Sequence, residues 1–397
     1  MIWEPTRAAG LARLAEFVPH AGRDYAARRN LDLGPADRSN VSALSPWLRR
    51  RLVTEQEVVA AVLARHDLAE ADRFVAEVAW RTYWKGWLEQ RPAVLARYEA
   101  ERNEWQARLA TDGDLLARVQ RATDGATGIA CFDAWVPELR QLGWLHNHAR
   151  MWFASIWIFT LRLPWQLGAD FFARHLLDGD PASNTLSWRW VAGLHTAGKH
   201  YLARAENIAL NTEGRFAPYG QLEEAAEPLR ENEPVPPVTP LGPAPEAPPE
   251  PCALLLTEED LHPESWPLAG EVRAIALLSA DAGQPDGPAA RFSAGALADG
   301  ARRAAAHFGV ACDVVAAGGV ARWLAGHGLA TLVTAQAPVG ESARQLAIVE
   351  GELARQGGRL VQLRREWDTL LWPHATAGFF KLKTRLPGVL KDLGLQP

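Results

Sequence analysis

Sulfur is scarce in this chain, with three cysteines (Cys131, Cys252, Cys312) and two methionines among 397 residues. Three scattered thiols cannot build a disulfide framework or supply the four cysteine ligands of an iron–sulfur cluster, and they suit a reducing compartment, so the cytoplasm is the expected location. Long apolar runs are missing too. The longest, Met151–Leu161, lies between Arg150 and Arg162 and reaches about half of the ~20 residues a membrane helix needs. The opening MIWEPTRAAGLARLAEF lacks the uninterrupted apolar core of a secretory signal. No membrane partner is expected. A formal net charge of −5 gives no global basic field that would advertise nucleic acid. His195 and His200 lack the i, i+4 spacing and carboxylate partner of a zinc site, so no metal is expected. Gly193-Leu-His-Thr-Ala-Gly-Lys-His200 nearly spells a phosphate loop, but His stands where Ser or Thr is needed and no strand precedes it. What is present in excess is tryptophan, 17 residues against 5 Tyr and 12 Phe, with 13 of the 17 before residue 230. Apolar residues at 48% and charged residues at 22% are a globular balance, and the length suits two domains, each with its own core.

The boundary between them is compositional. Ten of the 27 prolines lie between Pro228 and Pro251, so this stretch is expected as an extended strap. Residues 217–251 also hold seven Glu and one Arg, which leaves 1–216 at +2 and 252–397 at −1. Before the strap the apolar period is helical: Thr54–Arg65 opens with a capping box, and the same period runs through Ala71–Gln90, Phe132–Leu142, Leu145–Leu161 and Asp170–Leu177. After it, β-like runs (Ala253–Thr257, Val272–Ser279, Cys312–Ala317, Thr331–Thr334, Arg359–Leu363) alternate with helical ones (Ala294–Phe308, Val320–Gly326, Ser342–Gln356). That alternation predicts a parallel α/β sheet. No G-x-G-x-x-G follows the first strand, so no dinucleotide site of that kind is expected.

Three helical stretches set polar residues on one face among aromatics. Glu77, Trp80 and Arg81 fall at i, i+3, i+4; Trp144, Asn147, Arg150 and Met151 share a face; Asn184 and Trp188 are i, i+4, just after Asp178 and Asp180. Each face alone suits inter-helix ion pairs as well as a ligand, and Asp178 with Asp180 suits a helix N-cap. Three in one domain point to a flat, polar-edged, anionic ligand. The loop Asp37–Pro46, rich in serine and followed by Trp47-Leu-Arg-Arg-Arg51, has the makings of a phosphate cradle.

Together these residues resemble the helical FAD-binding domain of the cryptochrome/photolyase family over roughly Phe17–Arg204. The matching segments are Tyr25-x-x-x-Arg29-Asn30, Val41-Ser-Ala-Leu-Ser-Pro-Trp47, Glu77-x-x-Trp80-Arg81-x-Tyr83-Trp84, Thr127-Gly128 with Asp133, Gly143-Trp-Leu-His-Asn-His-Ala-Arg-Met151, and Asp178-Gly-Asp-Pro-Ala-Ser-Asn184 with Trp188-Arg-Trp190, in family order. In the second half, Leu254–Leu261, Asp368-Thr-Leu-Leu371 and Phe379-Phe-Lys-Leu-Lys resemble parts of the family's α/β antenna domain, which normally comes first. The expected architecture is therefore multi-domain α and α/β: an all-α photolyase-type FAD-binding domain over 1–216, a Pro-rich linker over 217–251, and a flavodoxin/Rossmann-like parallel α/β antenna-like domain over 252–397.

The resemblance implies FAD as cofactor and leaves open a second antenna pigment of unspecified identity. It assigns cofactor binding to Tyr25, Ser42, Leu44 (through its backbone N–H), Ser45, Arg81, Trp144, Asn147, Arg150, Asp178, Asp180 and Asn184. Arg150 and Asp178 would pair beside the isoalloxazine, and the Asn184 amide would face N5. Trp188 and Trp165 match the inner positions of the family's electron-transfer chain; Tyr98 is the candidate for the exit, with Trp105, Trp152 and Trp157 as alternatives. Glu77, Trp80, Asn147, Met151 and Trp190 match the lesion pocket of cyclobutane pyrimidine dimer photolyases, where Trp80 and Trp190 would stack on a flipped dimer. His148 replaces an Arg often found at that rim, whereas Arg28, Arg29 and Arg49–Arg51 suggest a local basic patch. The implied activity is that of a deoxyribodipyrimidine photolyase-like lyase: blue-light-driven electron transfer from reduced flavin to damaged DNA. The alternative is a cryptochrome-like photoreceptor with a signalling partner and no repair.

Overall fold

The structure, a computed structural model, describes residues 3–279 and 287–395. Twelve α-helices among the described residues form the first half: α1 Arg7–Phe17, α2 Arg23–Arg28, α3 Ser45–Arg49, α4 Glu55–Leu63, α5 Leu68–Glu89, α6 Ala93–Leu109, α7 Gly113–Asp124, α8 Ala130–Leu142, α9 Asn147–Ser155, α10 Trp165–His175, α11 Pro181–Ala192 and α12 Ala205–Asn211. The capping box at the head of α4 is formed, with Glu57 N–H donating to Thr54 Oγ1 at 3.2 Å and Thr54 N–H to Glu57 Oε2 at 2.9 Å. α5 buries Phe74, Val75, Val78, Ala79, Thr82 and Tyr83 along one side and stops before Pro92, which cannot continue it. The period over Leu145–Leu161 becomes α9 followed by a π-turn at Ile156–Thr160. α10 begins five residues ahead of the Asp170 suggested by periodicity, because the bend at Pro164 lets Trp165 start the helix. Gly143 ends α8 at φ +65°, where a Cβ would sit 2.6 Å from Leu177 Cγ, so the turn into the Trp144 segment needs glycine on two counts.

In the second half β1 Cys252–Leu256, β2 Val272–Leu278, β3 Cys312–Val315, β4 Thr331–Ala335 and β5 Arg359–Leu363 form one sheet in the order β3-β2-β1-β4-β5. Every pairing is parallel, as β–helix alternation requires. The helices are α13 Pro288–Phe308, α14 Val320–Gly326, α15 Glu341–Arg355, α16 Glu366–Leu371, α17 Phe379–Lys383 and α18 Leu386–Asp392. α13 starts six residues before the helical period does, with Pro288 at its first turn.

The loops at the C-terminal ends of β1, β4 and β5 meet the helical half. Leu261 N–H donates to Arg50 O at 2.9 Å, Val339 N–H donates to Glu89 Oε1, and Trp367 Nε1–H donates to Thr82 Oγ1 at 2.8 Å. In open α/β sheets this end carries the ligand crevice; here it is the contact between the two halves. The strap runs along the helical half first, where Glu231 pairs with Arg189 and Glu233 with Arg97 (2.6 Å), and Thr239 N–H donates to Gln90 O (2.9 Å). It then reaches the sheet, where Glu250 accepts from Thr331 Oγ1 (2.9 Å). No helix among the described residues is long and apolar enough to cross a membrane.

Candidate functional site

Asp180 caps the N-terminus of α11, accepting from Ser183 N–H at 2.6 Å, and Pro181 follows as the first helical residue. Its other oxygen faces cations from two helices: Lys85 Nζ at 3.5 Å, Arg81 Nη1 at 3.8 Å and Arg49 Nε at 3.8 Å. Burial alone would raise its pKa, but Lys85, then Arg81 and Arg49, hold it well below the usual carboxylate range. Asp178, on the approach to α11, takes both its oxygens to Arg150 Nη1 at 3.1 Å, and Leu145 O fixes the Arg150 Nε at 3.0 Å. Its carboxyl is also lowered against burial, by Arg150 first, then Arg81 and a hydrogen bond from Ser45. One turn beyond Asp180, Asn184 donates its Nδ2 to Ala169 O at 2.7 Å, which leaves Oδ1 as an acceptor without a hydrogen-bond partner among the described residues. Ser45, Arg81, Arg150, Asp178, Asp180 and Asn184, widely spaced in sequence, thus come together.

The serine loop is anchored from behind by Arg13, which donates to Ser42 O (2.8 Å) and Val41 O (2.7 Å). Ser42 stays half-buried, whereas Leu44 is buried and its N–H turns back to Ser42 Oγ at 3.4 Å. Tyr25 and Trp144 lie to the side. Tyr25 packs edge-on against Phe17 and Phe74, beside the Arg29–Glu77 pair; burial and then Glu77 push its pKa up. Trp144 lies under the Arg38 guanidinium, 4.5 Å from its ring, and 6.2 Å from the Trp3 ring. Asp133 closes the Thr127–Gly128 turn by accepting from both, at 2.6 and 2.8 Å.

Each residue matched to the lesion pocket has a definite place. Glu77 pairs with Arg29, and burial raises its pKa despite that cation. Asn147 is exposed at the start of α9, and Met151 is half-buried one turn on. Trp80 stacks on Phe379 of α17 at 3.9 Å and 13°, and Trp190 on Tyr201 at 5.8 Å and 25°. Burial pushes His148 down to about 4, so it is neutral at pH 7 and brings no charge to the rim. Arg49, Arg50 and Arg51 are not a surface patch. All three are buried, paired with Glu259, Glu258, Asp260 and Asp368 of the second half, because the domain contact supplies the carboxylates that water would otherwise replace.

Trp188 follows Asn184 by one turn, buried, with its indole N–H unpartnered among the described residues. Its ring is 6.3 Å from Trp157, edge-on, and Trp165 stacks on Tyr98 at 5.3 Å. Trp105 and Trp165 line a groove of about 1330 Å³ between α6, α10 and the start of the strap. That groove lies away from the Asp178–Asp180 cluster and from Trp188, none of which lines it. Lys85, Arg13, Glu259 and Phe379 have no site role that the sequence assigns. Only Lys85 carried a signal, a lone cation in the aromatic run Thr82-Tyr-Trp-Lys-Gly-Trp87.

These residues fit the flavin cofactor that the sequence resemblance implies. Arg81 Nη1, 3.8 Å from Asp180, is buried without a hydrogen-bond partner among the described residues, the Asn184 Oδ1 is an acceptor with none, and the Ser45 hydroxyl stands beside them at Asp178. Residues 74–221 match the family model for the FAD-binding domain of DNA photolyase. The chain is 32% identical over 196 residues to the deoxyribodipyrimidine photo-lyase of Synechococcus sp., covering 48% of this chain and 39% of that protein. It is 36% identical over 156 residues to that of Streptomyces griseus, covering 39% and 32%. A class III photolyase structure from Agrobacterium tumefaciens matches at 30% identity with a TM-score of 0.40, covering 51% of this chain and 40% of that one. The matches span about two fifths or less of these relatives' own lengths.

Proposed function

Since the chain belongs, through its helical half, to the cryptochrome/photolyase family, we propose that it holds FAD over the Asp178–Asp180 cluster and uses blue light to repair cyclobutane pyrimidine dimers in DNA, as a photolyase-type lyase. The observation that carries this reading is the constellation on α11: Asp180 among three cations, an unengaged Asn184 Oδ1 one turn on, and an unpartnered Trp188 N–H one turn further. FAD, when bound, supplies a photoexcitable one-electron donor. Arg81, Ser42 and Ser45 would hold its phosphates, the Arg150–Asp178 pair would fix its ring, and the Asn184 Oδ1 would accept a hydrogen bond from a ring N–H. Trp188, Trp165 and Tyr98 carry electrons between the interior and the groove. In this reading 1–216 is the FAD-binding domain, 217–251 the tether, and 252–397 the antenna-like domain, with any second pigment held there.

A specific observation favours a second reading, a blue-light photoreceptor without repair: the flat face of Trp80 is already taken by Phe379. A flavin spectrum of the purified protein, followed by irradiation with a thymine-dimer oligonucleotide, tests the proposal. Restored thymines support repair. Intact reduced FAD with no restored thymines, both in the native chain and in Phe379→Ala, refutes repair and leaves the photoreceptor reading.

A further inference from the structure

The loop after β1 delivers a carboxylate to the same cations that surround Asp180. Glu259 accepts from Arg49 Nη1 at 2.8 Å and Nη2 at 3.0 Å, and lies 3.9 Å from Lys85 Nζ. Asp180 holds the opposite side of both cations, 3.8 Å from Arg49 Nε and 3.5 Å from Lys85 Nζ. Ser342 Oγ, at the head of α15, donates to Glu259 at 3.1 Å and fixes its rotamer. The side chains of all four charged residues are at most 8% exposed, so solvent screens them little. Both Arg49 Nη atoms donate to Glu259, while its Nε, on the side of Asp180, is buried without a hydrogen-bond partner among the described residues. Glu259 and Asp180, one from each half of the chain, therefore share both cations.

We propose that Glu259 is a positioning residue of the flavin site: by drawing Arg49 and Lys85 toward the sheet, it limits the positive charge delivered to Asp180 and to a ligand beside it. The inference rests on the flavin reading given above. Neighbouring charges support the assignment to Glu259. Glu258, the next nearest carboxylate, is 3.5 Å from Arg49 but is shared with Arg50 at 3.7 Å and accepts from Ser293 Oγ, whereas Glu259 takes both Arg49 Nη atoms and lies 3.9 Å from Lys85 Nζ. Arg81 completes the cationic side from α5, and Arg150 is engaged by Asp178.

Glu259→Gln keeps the shape and an acceptor for Arg49 while removing one negative charge. The site becomes more positive, so the midpoint potential of bound FAD rises and its dissociation constant falls severalfold. Glu259→Asp retains the charge and returns both values toward wild type. Arg51→Ala, which weakens the domain contact away from Asp180, controls for docking, and protease cleavage within 228–251 of the FAD-free chain reports docking without reference to flavin. A potential raised in Glu259→Gln, restored in Glu259→Asp and unmoved in Arg51→Ala supports the inference. An unchanged potential and affinity in Glu259→Gln, or the same change in Arg51→Ala with a cleaved strap, overturns it alone. Failure of the wild-type chain to take up FAD overturns the flavin reading and this inference together.

Discussion

Gly168, in the middle of α10, is the point where a one-carbon change tests the seating of Trp188. A Cβ there would lie 2.3 Å from Trp188 Cη2, 2.6 Å from Cζ3 and 3.0 Å from Trp157 Cε2. Two effects oppose each other. Alanine in a helix interior is favoured over glycine by ~1 kcal/mol. Against that, carbon pairs settle at about 3.5–4.0 Å, so the indole must retreat by more than an ångström. It has nowhere to go: Phe172 and Trp157 stand edge-on at 5.2 and 6.3 Å. Overpacking costs ~1–3 kcal/mol, and a rigid ring among rigid rings puts this site at the upper end. Gly168→Ala should therefore destabilise by about 1–2 kcal/mol and slow flavin photoreduction by displacing Trp188. In a Trp188→Phe background the colliding benzo carbons are gone, and the same substitution should stabilise by ~1 kcal/mol. Urea unfolding of the four proteins, followed by far-UV circular dichroism, should give a coupling of about 2–3 kcal/mol. Stabilisation by Gly168→Ala in both backgrounds would refute the packing argument and the placement of Trp188 with it.

Further outcomes follow from the charged and aromatic groups. His195 bonds Tyr83 OH at 2.9 Å, and burial, then Arg189 and Arg91, push it down to about 3. The unfolded chain binds its proton first, so the stabilisation from neutral His195 is full above ~6.5 and is lost as pH falls toward about 3. Urea titrations from pH 7 to 4 should show a fall that is shallower in His195→Gln; equal slopes would contradict this. Arg150→Ala removes the ion-pair partner of buried Asp178, leaving it Ser45 and the more distant Arg81, and should cost about 3 kcal/mol and abolish FAD retention, read by unfolding and by flavin absorbance. Arg51→Ala leaves Glu55 and Asp368 buried without their cation, while Asp260 keeps Arg365, and should expose the strap to protease; continued protection would disprove the role of Arg51 in docking. Tyr98→Phe removes the phenol stacked on Trp165, and transient absorption should then show a longer-lived tryptophan radical.

The helices and strands were legible where a local period dictates them: the Thr54–Glu57 capping box, the apolar side of α5, and the β–helix alternation after Cys252. The cluster of Arg81, Arg150, Asp178, Asp180 and Asn184 was legible only as separate helix faces, since spacing says which residues share a face and not which faces meet. Three adjacent arginines read as a surface patch because charge next to charge usually means solvent; their partners, the half-buried Glu258 and the buried Glu259, Asp260 and Asp368, lie in the other half of the chain and carry no local mark. Phe379 over Trp80 was invisible for the same reason. Its segment was recognised, but stacking is a fact of docking and not of sequence order.

The thirty-five residues of 217–251 could span ~100 Å if fully extended as polyproline helix. Because they tether the halves covalently, each sees the other at an effective concentration on the order of millimolar, however dilute the protein is. The buried core that runs from the helical half into Leu261, Phe292, Trp367, Leu371 and Phe379 is thus closed within one molecule. A single cut between the Glu233 and Glu250 anchors would turn that contact into a bimolecular association, dependent on concentration for the first time.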